Sequence, residues 1–183
     1  MRYFIGLLVA IGLIILIIIL LLSDGKKPNT SVASKSLVDY ASTDAQVRLT
    51  IDGPINADSE HNQVLITVDS SNVTYQHVVG YQGNAVDTQL FANNQNAYSA
   101  FLNALLHAGF TLGNNSAPKD GTGYCALGDL YTFELIQDGK TLQKYWNTSC
   151  NNTKSYLGAT DLTLTLFQNQ VPGYSDLIQN IQL

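Results

Sequence analysis

The residues best suited to chemistry lie in one short segment, where Asp58, Glu60 and His61 occur within four positions. Carboxylates and imidazole are the usual general acids, general bases and cation ligands of proteins. A loop of this composition would suit a hydrolase or a metal-dependent enzyme, although a solvated turn has the same composition. The chain contains no HExxH, GxSxG or calcium-loop pattern. We therefore predict no catalytic residue, no metal ligand and no cofactor, and we retain this segment as a candidate polar cluster.

The only two cysteines, Cys125 and Cys150, bracket a predicted hairpin whose turn is Asp138-Gly139. The two ends of a hairpin lie side by side, so residues just beyond them are well placed to form a disulfide. A catalytic or metal-binding thiol is the alternative, but the pair lacks the CxxC spacing of zinc sites. We predict a structural disulfide, which indicates a compartment outside the reducing cytosol.

Four aromatic residues fall on the two arms of the same hairpin, at Tyr131, Phe133, Tyr145 and Trp146. Some of them must fill the core, and Phe133 and Trp146 are expected to do so. If Tyr131 and Tyr145 are exposed, they and the neighbouring Trp146 form a candidate contact surface. Core packing of the whole group is the alternative.

The charge of the chain excludes one class of partner. From residue 45 onward there are five Lys and Arg residues and eleven Asp and Glu residues, a net charge near −6. Nucleic-acid binding needs clustered basic residues to neutralise phosphates, and none cluster along this sequence. We therefore predict no nucleic-acid partner.

A long apolar segment precedes this acidic region. Residues 4–22 contain no polar residue, and about 20 such residues cross a hydrocarbon core of about 30 Å as a helix. A cleaved secretory signal is the alternative, but its apolar region usually has about 7–15 residues. We predict an uncleaved, single-pass transmembrane signal-anchor at 1–22, followed by a flexible tether at 23–44 that is rich in turn formers and hydroxyl residues.

The orientation of the anchor depends on two opposing signals. One arginine, Arg2, precedes the apolar segment, whereas Lys26, Lys27 and Lys35 follow it, and this count favours a cytoplasmic domain. The cysteine pair favours the other side, and long downstream domains translocate largely regardless of charge. We predict a cell-membrane protein whose domain, residues 45–183, faces the extracytoplasmic side.

Alternating apolar residues predict strands at 46–52, 62–69 and 73–81, and again at 130–137 and 140–146 on either side of the Asp-Gly turn. An apolar stripe predicts a helix at about 95–108, and its members are Tyr98, Phe101, Leu102, Leu105 and Leu106. Residues 162–166 fit a strand or a helix, of which we favour the helix, and 174–181 suit a short terminal helix. Short links between strands imply antiparallel pairing.

The order β-β-β-α-β-β-α predicts the fold class. We expect an α+β domain, with an antiparallel sheet of about five strands and two helices packed on one face, preceded by the transmembrane helix.

Three further stretches are distinctive: Tyr81-Gln-Gly-Asn84, Phe91-Ala-Asn-Asn-Gln-Asn-Ala-Tyr-Ser-Ala-Phe-Leu102 and Ala108-Gly-Phe110. Together with the cysteine pair, they resemble small membrane-anchored proteins of Saccharibacteria-type candidate-phylum bacteria. The resemblance covers most of the chain after the tether. It implies a bacterial surface location and no particular activity.

The sequence thus favours a non-enzymatic extracytoplasmic module that binds a protein, peptide or glycan, or that helps to build the envelope. One alternative is a hydrolase or metal-dependent enzyme that uses Asp58, Glu60 and His61. Another is a subunit of a membrane complex, held through the apolar helix.

Overall fold

The computed structural model describes residues 35–150 and 153–183. The predicted anchor at 1–22 and the first part of the predicted tether lie outside the described residues. No helix within the described ranges has the length and hydropathy needed to cross a bilayer.

The described chain forms six strands and four helical segments. In chain order they are a 3-10 helix at Leu37–Ser42, β1 (Ala45–Asp52), β2 (Asn62–Val68), β3 (Asn72–Val79), β4 (Asn84–Ala92), α1 (Gln95–His107), β5 (Leu130–Gln137), β6 (Lys140–Thr148), α2 (Thr160–Gln168) and α3 (Tyr174–Ile178).

All six strands belong to one antiparallel sheet with the order β4-β3-β2-β1-β5-β6. The predicted α+β class is therefore confirmed. The turn predicted between β5 and β6 is also present, because Asp138 and Gly139 both have positive φ, at 51° and 71°. A type I′ turn requires this conformation at both central positions.

The expected count of five strands was wrong, because β4 was not predicted. This strand lies at an edge of the sheet, and most of its side chains are exposed. Its Asn-Ala-Val-Asp-Thr-Gln-Leu-Phe-Ala sequence therefore lacks the apolar alternation that a half-buried strand shows. A β-bulge opposite His77 and Val78 further disturbs its period.

One face of the sheet is buried under the helices. Val47 and Leu49 on β1 are fully buried in the same core as Tyr98 and Leu102 on α1. The Tyr98 hydroxyl donates to the Ala45 carbonyl over 2.9 Å, so this buried polar group is satisfied.

The C-terminal helices lie on this same core. The prediction of a helix rather than a strand after residue 160 is confirmed by α2, whose Phe167 ring meets the Phe101 ring edge-on, with centroids 5.2 Å apart. The short terminal helix is present as α3, which makes the helix count higher than the two expected.

The part of the predicted tether nearest the domain is instead part of the fold. Residues 37–42 form the 3-10 helix, in which Leu37 and Ala41 are buried in the core. The cause is the spacing of Leu37, Tyr40 and Ala41, which places apolar groups on one side of a single helical turn.

The second face of the sheet is covered only in part. The segment 113–129 crosses it at one end and buries Trp146, whose indole N–H donates to the Pro118 carbonyl over 2.7 Å. Gly121 lies so close to Trp146 and Leu130 that an added Cβ would collide with both. The remainder of this face is open, and its side chains are mostly polar.

Candidate functional site

The candidate site lies at the end of β1, where the β1–β2 loop meets the segment that precedes β5. Asp52 is the last residue of β1, and it is paired in register with Gln63 on β2 and Leu130 on β5. Paired residues project from the same face of a sheet, so these three side chains share the open face. His61 immediately precedes β2 and turns inward toward them.

His61 is almost fully buried, with 1% of its surface exposed. Its Nε2 atom lies 2.7 Å from Asp52 Oδ1, and its Nδ1 atom lies 3.1 Å from the Pro54 carbonyl oxygen. The Tyr81 ring stacks on the imidazole, with centroids 3.9 Å apart and planes 15° from parallel.

Both ring nitrogens of His61 are already used by the protein. The Pro54 carbonyl can only accept, so Nδ1 carries the hydrogen of that bond. Nε2 then either carries a second hydrogen beside Asp52 or accepts one from the Gln63 amide, whose nitrogen is 3.1 Å away. In each case both ring nitrogens have partners within the protein, which link the β1–β2 loop to the end of β1 and the start of β2.

Burial is the largest influence on the Asp52 carboxyl and raises its pKa above the ordinary value of 3.8. The nearby His61 opposes this effect, and repulsion from Asp120 adds to it. Asp120 has the opposite behaviour, because hydrogen bonds from the backbone N–H and hydroxyl of Thr122 lower its pKa. Two nearby aspartates are therefore shifted in opposite directions by their surroundings.

Asp58 and Glu60 were predicted to cluster with His61, but their side chains do not turn toward its buried imidazole. Asp58 Oδ1 accepts the backbone N–H of Tyr81 over 2.7 Å and so ties the β1–β2 loop to the turn after β3. The Glu60 side chain is exposed. Among the described residues, no group of three or more His, Cys, Asp or Glu side chains is arranged to hold a metal ion.

A cavity of about 350 Å³ opens beside His61. Its floor holds Asp52, His61 and Gln63, and its walls are largely apolar. The wall residues include Ile55, Tyr81, Cys125, Leu130 and several glycines. Mostly apolar walls with a few convergent polar groups are typical of ligand pockets.

A polar groove of about 310 Å³ continues from this cavity along the open face of the sheet. The two depressions share Asp52, Gln63, Thr122 and Leu130, so they form one continuous surface. Farther along, Arg48 forms an ion pair with Glu134, with Nη2 and Nε 2.6 and 2.8 Å from the same carboxylate oxygen.

The rim of the cavity carries exposed aliphatic side chains. Ile55 lines the cavity and is 50% exposed, whereas Leu127 lies in the turn between the lining residues Cys125 and Gly128 and is 90% exposed. The Ile55 N–H donates to the Ala126 carbonyl over 2.8 Å, which joins the two loops that carry these residues. We call Ile55, Leu127 and the exposed part of Tyr81 the apolar rim.

The disulfide prediction is confirmed at this rim, because Cys125 and Cys150 lie at disulfide-bonding distance with their Cα atoms 5.6 Å apart. The bond fixes the start of the short turn that carries Leu127. Gly128 follows, and an added Cβ there would collide with the Ser149 hydroxyl and the Cys125 sulfur. The apolar rim is therefore presented on a constrained backbone.

The aromatic residues of the β5–β6 hairpin do not share one surface. Phe133 and Trp146 are both buried, as predicted, but they project from opposite faces of the sheet. Tyr131 and Tyr145 are half-buried against the core on the face of Phe133. Their hydroxyls bond to Asp129 and Asn115 respectively, and the burial of Trp146 removes it from any exposed contact surface.

A larger depression of about 410 Å³ lies beside β6, between Tyr145 and the segment that includes Asn115 and Lys119. Its lining contains no buried titratable group and no exposed aromatic ring. The cavity beside His61 is therefore the stronger candidate for function.

Sequence reasoning missed Asp52, Gln63, Ile55 and Leu127. A partial signal for the first two was available, because the predicted strands 46–52 and 62–69 end and begin near residues 52 and 63, but the register that pairs these residues comes only from the structure. Ile55 and Leu127 gave no signal, since an isolated aliphatic residue in a loop shows no periodicity.

No protein-family model matches this chain, and no curated protein is detectably similar to it in sequence. The resemblance to Saccharibacteria-type proteins stays a prediction. The functional conclusion therefore depends on the geometry of the site alone.

Proposed function

We propose that this protein is a non-enzymatic, membrane-anchored extracytoplasmic module that binds a polypeptide segment at the open end of its sheet. The observation that carries the proposal is the continuity of an apolar-walled cavity with a polar groove, beneath an exposed apolar rim. A peptide fits this combination, because one apolar side chain can fill the cavity while the adjoining backbone bonds to the polar groove.

The apolar rim favours a polypeptide over a glycan. Leu127 and Ile55 offer no hydrogen bonds to sugar hydroxyls, and their exposure is costly unless a partner covers them. Burying a Leu or Ile side chain typically contributes about 1.5–3 kcal/mol. Because the disulfide and the loop-to-loop hydrogen bond already constrain the rim, little further ordering is needed on binding.

The geometry gives less support to the enzyme alternative. A hydrolase that used Asp58, Glu60 and His61 would need their side chains to converge on a substrate. Asp58 instead bonds to the backbone of Tyr81, Glu60 faces solvent, and His61 contacts Asp52 and Pro54. The membrane-complex alternative depends on residues 1–34, which lie outside the described ranges.

The proposal is tested with the full chain in lipid nanodiscs, probed with a random library of extended peptides. Selected peptides are then titrated against the wild type, Leu127→Asp and the control Leu142→Asp. Leu142 is 49% exposed on β6, so the control adds the same charge at a site outside the cavity. We expect Leu127→Asp to weaken binding by about tenfold or more, because an apolar peptide side chain would have to cover the added charge, and Leu142→Asp to leave it unchanged.

Two outcomes would overturn this function. One is the absence of any selected peptide whose binding is sensitive to Leu127→Asp. The other is binding of soluble cell-wall glycan fragments in the groove with the same sensitivity, which would replace the polypeptide by a saccharide ligand.

A further inference from the structure

The two edges of the sheet are protected to different extents. On β6, the backbone of Trp146 bonds to residues 155 and 156, and the strand carries Lys140 and Lys144. Covering segments and charged side chains are the usual protection against edge-to-edge pairing. On β4, no backbone hydrogen bond joins the outer edge to another segment within 35–150 or 153–183, and the strand has neither Lys nor Pro.

The outward hydrogen-bonding groups of β4 can be assigned from its pairing with β3. The Asn93 N–H donates to the Ser71 carbonyl over 2.8 Å, and Ser71 and Asn93 continue the β3–β4 register. Inward and outward bonding alternate along an antiparallel strand. Thr88 and Leu90 therefore direct their backbone N–H and C=O groups away from the sheet.

Charge distinguishes this side of the domain from the rest. Asp87 is the only Asp, Glu, Lys or Arg between Asp69 and Lys119, a range that includes β3, β4 and α1. A domain with a net charge near −6 repels its own copies over most of its surface. The β4 side is nearly uncharged, so two copies can approach there with little repulsion.

The residue pattern of β4 is complementary to itself. In an antiparallel pair of two β4 strands centred on Thr88, Asp87 lies opposite the neutral Gln89 rather than another carboxylate. The bulged Val86 and Leu90 flank this pairing, and these two residues are 60% and 66% exposed in the single chain. The β-bulge leaves Val86 without a partner on β3, because Asp87 pairs with His77 and Ala85 with Val78. Regular pairing about Thr88 is therefore limited to Asp87, Thr88 and Gln89 of each copy.

We infer that the protein self-associates through β4, with a second copy of the chain as the partner and a two-fold axis at Thr88. The pairing joins two six-stranded sheets into one antiparallel sheet of twelve strands, by an isologous contact in which the same strand serves both copies. It leaves the cavity beside His61 free, because that cavity has no residue on β4.

Cysteine cross-linking of the full chain in nanodiscs tests the register directly. The two native cysteines already pair with each other, so an added cysteine is the only free thiol. Under mild oxidation, Thr88→Cys should form a covalent dimer, because the two-fold axis places this residue opposite itself. The matched control Thr141→Cys, which is exposed on β6, should form no covalent dimer.

Sedimentation of the detergent-solubilised full chain provides the second measurement. Thr88→Lys places two ammonium groups at the axis and should raise the dimer dissociation constant by about tenfold or more, whereas Thr141→Lys should leave it unchanged. Thermal unfolding confirms that both variants fold. A monomeric wild type, a dimer that persists in Thr88→Lys, or equal cross-linking at Thr141→Cys would each overturn the inference.

Discussion

The two faces of the sheet use the same six strands for opposite purposes. On β5, Phe133 lies on the helix-covered face and is fully buried, while the preceding Thr132 lies on the open face and lines the polar groove. The first face consists of aliphatic and aromatic side chains that stabilise the fold. The second consists mostly of polar pairs and carries the polar groove, so one strand with alternating side chains contributes to both the core and the candidate site.

The largest loss of stability is expected for a substitution on the helix-covered face. Phe133 contacts the Tyr156 and Phe110 rings, with centroids 4.3 and 6.4 Å away. Phe133→Ala should lower the free energy of unfolding by about 3–5 kcal/mol, since it removes a buried ring and leaves a cavity. Urea denaturation measures the change. The adjacent Thr132→Ala should change it by less than about 0.5 kcal/mol, and equal losses would contradict the assignment of the two faces.

Removing the disulfide tests how much this covalent bond contributes to the stability of the domain. Cys125→Ala combined with Cys150→Ala should lower the free energy of unfolding by about 3 kcal/mol, because the closed loop spans 25 residues. The same measurement under a reducing agent should give a similar loss in the wild type and none in the double variant. A double variant as stable as the oxidised wild type would show that the bond does not stabilise the domain.

The Arg48–Glu134 ion pair is the main charged contact within the open face. Glu134 is almost fully buried, whereas Arg48 is about one-third exposed. A double-mutant cycle with Arg48→Met and Glu134→Gln should give a coupling energy of about 1 kcal/mol. Denaturation at low and high salt measures how much of that coupling is screened. A coupling energy of zero would mean that Glu134 is stabilised by its other neighbours alone.

Helix α1 and the β5–β6 hairpin were predicted from the sequence, whereas strand β4 was not. Helix α1 was predicted within one residue because its stripe from Tyr98 to Leu106 has a strong 3.6-residue period. The hairpin of β5 and β6 was equally clear from Asp138-Gly139. Strand β4 was missed because an exposed edge strand has no buried face to impose alternation.

The candidate site was less predictable because its parts lie far apart in sequence. His61 was identified, but the carboxylate that contacts it is that of Asp52, which strand pairing brings near, and not that of Asp58 or Glu60. The turn that carries Leu127 is brought near the cavity by the disulfide and by the hydrogen bond from Ile55 to Ala126. Such contacts depend on tertiary structure, which local patterns do not encode.

The smallest expected effect is a dependence on pH within the open face. Because the Asp52 pKa is raised above 3.8 in the folded protein, the unfolded chain loses this proton first as the pH rises. The contribution of Asp52 to stability therefore falls from about pH 3.8 upward. Asp52→Asn should therefore be more stable than the wild type above that pH. Urea denaturation from about pH 3 to about pH 7, which spans the titration of carboxyl groups, measures the difference.

Asp120 provides the control for this measurement, because its lowered pKa reverses the sign. Its contribution is present above the ordinary value of 3.8 and is lost as the pH falls through its folded pKa. Asp120→Asn should therefore lose stability relative to the wild type at neutral pH and approach it in acid. The same trend for both variants would contradict the opposite shifts of the two carboxyls.

The strand order also has a consequence for the folding pathway. Strands β1 to β4 form a meander, and β5 and β6 form a hairpin, each from contacts that are local in sequence. Within the sheet, the meander and the hairpin join where β1 pairs with β5. Once the meander has formed, closing the segment 93–129 that connects it to β5 costs about 3 kcal/mol of chain entropy, so docking of the meander and the hairpin should be the slow step. The disulfide lies at the ends of the β5–β6 hairpin. It can therefore form before that step, independently of the meander.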